Sequence, residues 1–471
     1  MCSLSRRLFL FMFLLLVVTG GCMDLRPELD DPTPRDLPDT FSLYSSAAAD
    51  TAPWWQELHS PELTRLITRA LEANTDLHQA WARVKQNRAL AVQAGATQLP
   101  DLTVDSRAAH LRSDTVDGNQ KTRDDFSLGL STGYELDLWG RVQAGARGAQ
   151  DSLQASREDL LAMQLSVSGQ VGEAWVERIS QQLQEKQLHR ELELNTRLQE
   201  LIEMRFTLSR ATALDVYQQR QTVTAIQGGL IKTKSLARLQ ENRLALLTGR
   251  PAPGNMEPGT EDFPQITELP ATGLPADLLA NRPDIRAAGL RLQSARWQVA
   301  AARADRLPRI MLGGSINYTS SSLSLLLDNW IAQLAASLTG PIFDGGFRRA
   351  EVERTMAVME ERLAAYRGVV LAAILEVENS LTREQQYRKS LANIETQLQI
   401  TSRAYREATW RYLYGMSDFL PVLREQINLI TFQLDRIKTR AELIKARISL
   451  YKALGGGLPA QVPNPQPAEQ S

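Results

Sequence analysis

A chain of 471 residues with a formal net charge of −1 offers no electrostatic reason to expect nucleic acid as a partner. Aromatic residues make up only 6 %, and Ala, Leu, Gln, Glu and Arg dominate, a composition of long helices rather than of large aromatic cores.

At the N-terminus, Arg6 and Arg7 precede the apolar run Leu8–Val18, followed by the small residues Thr19, Gly20 and Gly21. This order reads as an export signal over residues 1–21, too short to span a bilayer, which takes about 20 apolar residues. Cys22 follows at once and resembles the lipidated cysteine of a bacterial lipobox, although Thr19 stands where a branched apolar residue is usual. An ordinary signal peptide with an incidental cysteine is the alternative. Cys2 leaves with the signal, so the mature chain holds no cysteine pair for a disulfide or a thiolate metal site. No later stretch is apolar enough for a membrane helix. An exported chain of this kind stays in the periplasm or reaches the outer membrane through strands.

Residues 22–60 read as an extended, lipid-anchored segment. The first half, 61–250, carries a helix, two strand-like runs, a long helix and a further helix. Pro251, Pro253, Pro258, Pro264, Pro270 and Pro275 make 251–276 a connector that cannot be regular helix or central strand. The second half, 277–457, repeats the first, and 458–471 is a tail. Leu77–Pro100 parallels Ile285–Pro308, and Leu247-Thr248-Gly249 parallels Ala453-Leu454-Gly455, so the two copies stay nearly in step. A repeat of this length is a duplicated half-molecule.

The clearest strand is Asp125–Trp139, where Phe126, Leu128, Leu130, Thr132, Tyr134, Leu136 and Leu138 alternate with small or polar residues. Weaker alternation marks Leu102–His110, Ile310–Tyr318 and Trp330–Leu338. The pattern suits a barrel with lipid outside and water inside, and suits a half-buried soluble sheet equally well. Gly140–Leu208 and Gly345–Tyr414 each run without proline for roughly 100 Å of helix at 1.5 Å per residue. Shorter helices follow at Ala211–Leu247 and Ser417–Leu454. The last carries a seam at Leu423, Ile427, Ile430, Leu434, Ile437, Ala441, Ile444 and Ile448, with a second apolar line at Leu429, Phe432, Leu443 and Leu450. Two stripes suit a stave packed between two neighbours. If the sheet is a membrane barrel, four strands cannot close it, since the smallest known has about eight and open edges are forbidden in lipid. Several copies must then share one barrel, two or three by pattern alone, with Gly129, Ser131 and Gly133 favouring an open lumen.

Five ordered motifs now matter: Trp54-Trp55, Tyr134-Glu-Leu-Asp-Leu-Trp-Gly-Arg141, Asn281-Arg-Pro-Asp-Ile285, Pro341-Ile-Phe-Asp-Gly-Gly346 and Leu450-Tyr-Lys-Ala-Leu-Gly-Gly-Gly457. On these the chain resembles the TolC/NodT-type outer-membrane efflux factors over nearly its whole mature length. The resemblance implies an α+β membrane protein, a homotrimer whose four strands per chain build a transmembrane β-barrel above a long α-helical periplasmic barrel. It implies outer-membrane lipid around the barrel, docking to a periplasmic adaptor, and an inner-membrane transporter of the RND type. Such ducts pass drugs and other toxic compounds outward without a cofactor. A type I protein-secretion duct shares the fold, and a periplasmic adaptor shares the long hairpins and lipid anchor but not the duplicated strand pairs.

No enzymatic constellation is present. His59, His78, His110 and His189 are scattered without metal-ligand spacing, and no GxSxG or phosphate-cradling loop occurs. The resemblance places function at the periplasmic tip. Tyr412, Met416, Leu420 and Arg424 stand at its gate, the last three taken as one line spaced by four. Leu208, Ser209, Arg210, Tyr414, Gly415 and Ser417 stand at the turns that would meet an adaptor. Arg424 occupies a position commonly acidic in the family. Leu420 as simple packing between staves is the alternative to a gate.

Overall fold

The computed structural model describes residues 25–28, 32–34, 38, 40–41, 53–114, 120–251, 262–266, 269–270 and 275–457. The export signal, Cys22, the tail and much of the connector lie outside them.

Helix α1 (Pro61–Ala73) starts where Ser60 caps it, its hydroxyl accepting from the Leu63 amide at 3.2 Å, with Pro61 at a position that needs no N–H. Asn74 separates α1 from α2 (Thr75–Ala96). Its side-chain oxygen accepts from the amides of Asp76 (2.9 Å) and Leu77 (3.2 Å), so α2 begins two residues before the stretch from Leu77 read as helical. Strands β1 (Asp101–Asp114) and β2 (Gln120–Leu136) follow, then α3 (Arg141–Thr207) and α4 (Ala213–Leu247). After a single turn at Leu278–Asn281 the series recurs as α5 (Pro283–Ala304), β3 (Arg309–Ser320), β4 (Trp330–Thr339), α6 (Phe347–Leu413) and α7 (Leu420–Ala453). Corresponding helices match in length: α2 and α5 have 22 residues, α3 and α6 have 67, and α4 and α7 have 35 and 34. Equal lengths across the halves are the structural imprint of the duplication.

The chain forms two compact units, each taking segments from both halves. Unit 1 joins residues 1–34, 83–157 and 286–368 and holds the sheet. Unit 2 joins 35–82, 158–285 and 369–471 and is helical.

In unit 1 the four strands pair antiparallel in the order β1-β2-β3-β4. One face carries the rows Leu136–Ile310–Leu338, Tyr134–Leu312–Ala336, Leu102–Thr132–Gly314–Leu334, Val104–Leu130–Ile316–Ala332 and Ser106–Leu128–Tyr318–Trp330. The other face carries Asp101–Gly133–Gly313–Ala335, Thr103–Ser131–Ser315–Gln333 and Asp105–Gly129–Asn317–Ile331. The apolar face is not covered: Leu334 is 93 % exposed, and Leu102, Val104, Leu338 and Trp330 are exposed as well. A soluble sheet would bury such a face. β4, with 10 residues, has the 9–11 that a tilted membrane strand needs.

Candidate functional site

The strand-to-helix corners of unit 1 explain two of the motifs. Glu135 takes Arg141 in a two-pronged pair at 2.9 and 2.5 Å, and Asp137 accepts from the Gln143 amide at 2.7 Å, capping α3. Gly140 sits at φ +71, where a side chain would be strained, and Trp139 donates to the Pro308 carbonyl at 2.7 Å. In the second copy Asp344 does the capping, accepting from the amides of Gly346 (3.0 Å) and Arg348 (3.3 Å). The sheet is thus fixed to its helices at both duplicated corners.

The other three motifs converge in unit 2 around the C-terminus of α7. Trp54 stacks on Tyr451 at 6.3 Å between ring centroids and donates to Ser168. Arg282 forks onto Asp284 at 3.0 and 2.7 Å and donates to Glu376 and to the Ala453 carbonyl, tying the last turn of α7 to the start of α5. Gly455, at φ +98, lies so close to the Asn281 carbonyl that a Cβ would meet it at 2.8 Å. Arg447 and Glu384 form a fully buried pair at 2.6 Å.

At the far end of unit 2, α3 passes to α4 and α6 passes to α7 through matching turns. Arg210 N–H donates to the Arg205 carbonyl and Met416 N–H to the Arg411 carbonyl, each at 2.8 Å. Ser209 (φ +58) and Gly415 (φ +73) take the left-handed position that this helix stop requires. Thr212 and Asp215 then form a reciprocal capping box for α4. Ile202, Val216, Ala408, Tyr412, Phe419 and Val422 pack into one cluster that joins α3 and α4 to α6 and α7. Arg205 lies 4.8 Å from the Tyr412 ring and points donors at the carbonyls of Leu413 and Tyr412, where the negative end of α6 favours a cation.

One layer above lies a buried polar cluster. Asn195 of α3 takes the side-chain amide of Gln219 (α4) at 3.1 Å and contacts that of Gln426 (α7). Glu191, one turn away, is only 7 % exposed. Burial pushes its carboxyl above the ordinary range, and hydrogen bonds from Gln187 and Gln433 offset this in part. Burial also raises the Tyr405 hydroxyl, with the Glu191 charge adding to it.

The tip residues expected from sequence fall into separate places. Leu420 (60 % exposed) opens α7 and Arg424 lies one turn on, so these two share a face. Met416 is exposed but belongs to the turn, because Gly415 ends α6 and α7 starts only at Leu420, so the spacing of four does not extend to it. Tyr412 is 5 % exposed and sits in the core cluster against Phe419 rather than on the face of Leu420. Arg424 is paired with Glu425 at 3.0 Å. Of the turn residues, Leu208, Ser209, Arg210, Tyr414 and Gly415 are exposed and Ser417 is half-buried. Sequence reasoning passed over Phe419, Arg205 and the Asn195 layer. The available signal was polar residues recurring on otherwise apolar helix faces.

Comparison with known proteins agrees with this architecture. The sequence model of the outer membrane efflux protein family matches residues 66–250 and 274–456, one block per half. The chain belongs to the outer membrane efflux protein family. It is 34 % identical over 422 residues to the pyoverdine export outer membrane protein OpmQ of Pseudomonas aeruginosa, covering 88 % of this chain and 89 % of that one. The solvent efflux pump outer membrane protein SrpC of Pseudomonas putida is 32 % identical over 84 % of this chain and 86 % of its own length. Among solved structures, the outer-membrane channel OprN superposes with a TM-score of 0.85 at 26 % identity, over 92 % of this chain and 99 % of its own. VceC of Vibrio cholerae gives 0.81 at 26 % identity, over 87 % and 99 %. Family membership places the protein in the outer membrane, with a helical periplasmic part and a β-barrel part. The family is one of efflux conduits, not of enzymes.

Proposed function

We propose that three copies of this chain close one barrel of twelve strands and serve as the passive exit duct of a tripartite pump. The open sheet carries this reading. The strand count is even, so β1 and β4 run in opposite directions at the two free edges. Rotation about an axis along the barrel then brings β4 of one copy beside β1 of the next in antiparallel pairing, leaving no edge in lipid. The face with Gly129, Ser131, Gly133, Asn317 and Gln333 turns to a water-filled lumen. Cys22 carries a lipid that tethers an already anchored trimer. Leu420 from each copy forms the narrowing at the periplasmic end, and the turns at 208–210 and 414–417 meet a periplasmic adaptor. An inner-membrane transporter of the RND type supplies the energy. The relatives' names, which speak of pyoverdine, solvents and antibiotics, support small organic compounds as cargo.

The test is export in a strain deleted for the gene. Loss of the protein should raise retention of a small cationic dye and sensitivity to solvents, and plasmid-borne protein should restore both. Unchanged dye retention together with a secreted polypeptide missing from the medium would favour a protein-secretion duct instead.

A further inference from the structure

Just after β4, the turn Pro341–Gly346 presents two large apolar side chains to open solvent. Ile342 is 102 % exposed and Phe343 90 % exposed, the extreme values among the described large apolar residues of unit 1 apart from Leu334 on the apolar face of the sheet. The turn that carries them is held in place. Gly340 packs against Pro308, where a Cβ would come within 3.1 Å, and Gly345 and Gly346 adopt φ +62 and +90. Asp344 caps α6 and pairs with Arg348 at 3.2 Å, while Arg348 also binds Asp305 at 3.1 Å and Asp305 contacts Arg309. Two apolar residues on a rigid, ion-paired base make no contact that would keep them from water.

The sheet register says at which end of the sheet they lie. Asp101 pairs with Gly133, Gly133 with Gly313, and Arg309 with Thr339, so the start of β1 and the end of β4 lie at one end of the sheet. At the β1 edge of that end, Leu99 is 68 % and Leu102 71 % exposed. We propose that Ile342 and Phe343 form a hook that seats on the base of β1 in the next copy, against Leu99 and Leu102 of the partner subunit. This rests on the shared-barrel reading above, since only barrel closure brings those two edges together.

Lipid is the competing occupant, and the charges argue against it. Asp344, Arg348, Asp305 and Arg309 form the ion-paired base directly beside the hook, and such groups are costly within the hydrocarbon layer. The hook therefore sits at the lower rim of the apolar band, where water would reach it unless another protein surface covers it. Fluid lipid also gains nothing from a fixed turn, whereas a protein seat gains from one already in its bound shape.

A photo-crosslinking residue decides between these occupants. Full-length protein carrying p-benzoylphenylalanine in place of Phe343 is irradiated in outer membranes and run on a denaturing gel. The proposal expects a band of two chain masses, with the junction mapped by mass spectrometry to the stretch 97–104 of the second chain. Crosslinks to phospholipid, or none between chains, in material that detergent-solubilised mass shows to be trimeric, overturn the hook and leave the trimer standing. Monomeric mass overturns both. Independently, Ile342→Ser combined with Phe343→Ser should lower the temperature at which trimers fall apart by several degrees. Unchanged heat resistance in correctly inserted trimers counts against the seat.

Discussion

Phe419 sits in the cluster that joins α3 and α4 to α6 and α7 at the tip, and its truncation tests whether that cluster restrains the closed tip. The ring is wholly buried and lies 5.2 Å from that of Tyr412, at the point where α7 meets α6, α3 and α4. Phe419→Ala removes those contacts and leaves a cavity, a change that costs about 3–5 kcal/mol for a buried Phe. If opening parts α6 and α7 from α3 and α4, most of that loss falls on the closed arrangement alone. A loss of about 3 kcal/mol confined to the closed state would shift the closed-to-open ratio by roughly a hundredfold. Single-channel recording in planar bilayers should then show higher and more frequent conductance, and cells should become sensitive to an antibiotic too large to enter otherwise. Leu244→Ala is the control. That side chain is equally buried, in α4 away from the tip, so it should lower stability without raising conductance. Phe419→Ala trimers with unaltered conductance would refute the idea that this cluster restrains the tip.

Leu420→Ser should widen the aperture and raise conductance, whereas Arg424→Asp should shift selectivity toward cations with little change in size; reversal potentials in asymmetric salt separate the two. Glu191→Gln keeps one acceptor oxygen for the neighbouring amides and removes a buried charge. The Glu191 carboxyl is raised above its ordinary value, so its ionisation opposes the fold as pH rises through that raised value. The variant should therefore melt higher than the native protein at neutral pH, with the gap closing below about pH 4; an equal gap at both pH values would show that Glu191 does not titrate as burial requires. Arg447→Met leaves buried Glu384 with the half-exposed Arg388 as its remaining charge partner and should cost up to about 3 kcal/mol, while Arg447→Met with Glu384→Leu should recover part of it, as read by denaturant unfolding of the trimer.

Much of the fold was legible because its signals are local. Period-two alternation through Phe126–Leu136 marked the apolar face of the sheet, and the paired half-repeats predicted helices whose lengths then agreed to within a residue. Corner motifs were legible as motifs but not as contacts. Nothing in Asn281-Arg282 says that its guanidinium reaches the Ala453 carbonyl, because that meeting depends on two segments far apart in the chain. The tip was the least legible. Helical spacing carried Met416 onto a helix that does not begin until Leu420, since the left-handed Gly415 and the turn after it break the count. Tyr412 was placed at the gate, yet its ring is drawn into the cluster by Phe419 and Arg205, partners set by tertiary packing. The seam on α7 shows the same limit. Ala441, Ile444 and Ile448 are buried, but Ile427 is half-exposed and lines, with Leu423, Ile430 and Leu434, a cavity of about 760 Å³ among α3, α4 and α7.

The central claim is that the sheet of one chain is a third of a barrel. Native mass spectrometry of the full-length protein, extracted from outer membranes in mild detergent, measures this directly. Three chain masses in one particle are the expected result, and a particle of one or two chains would contradict the account.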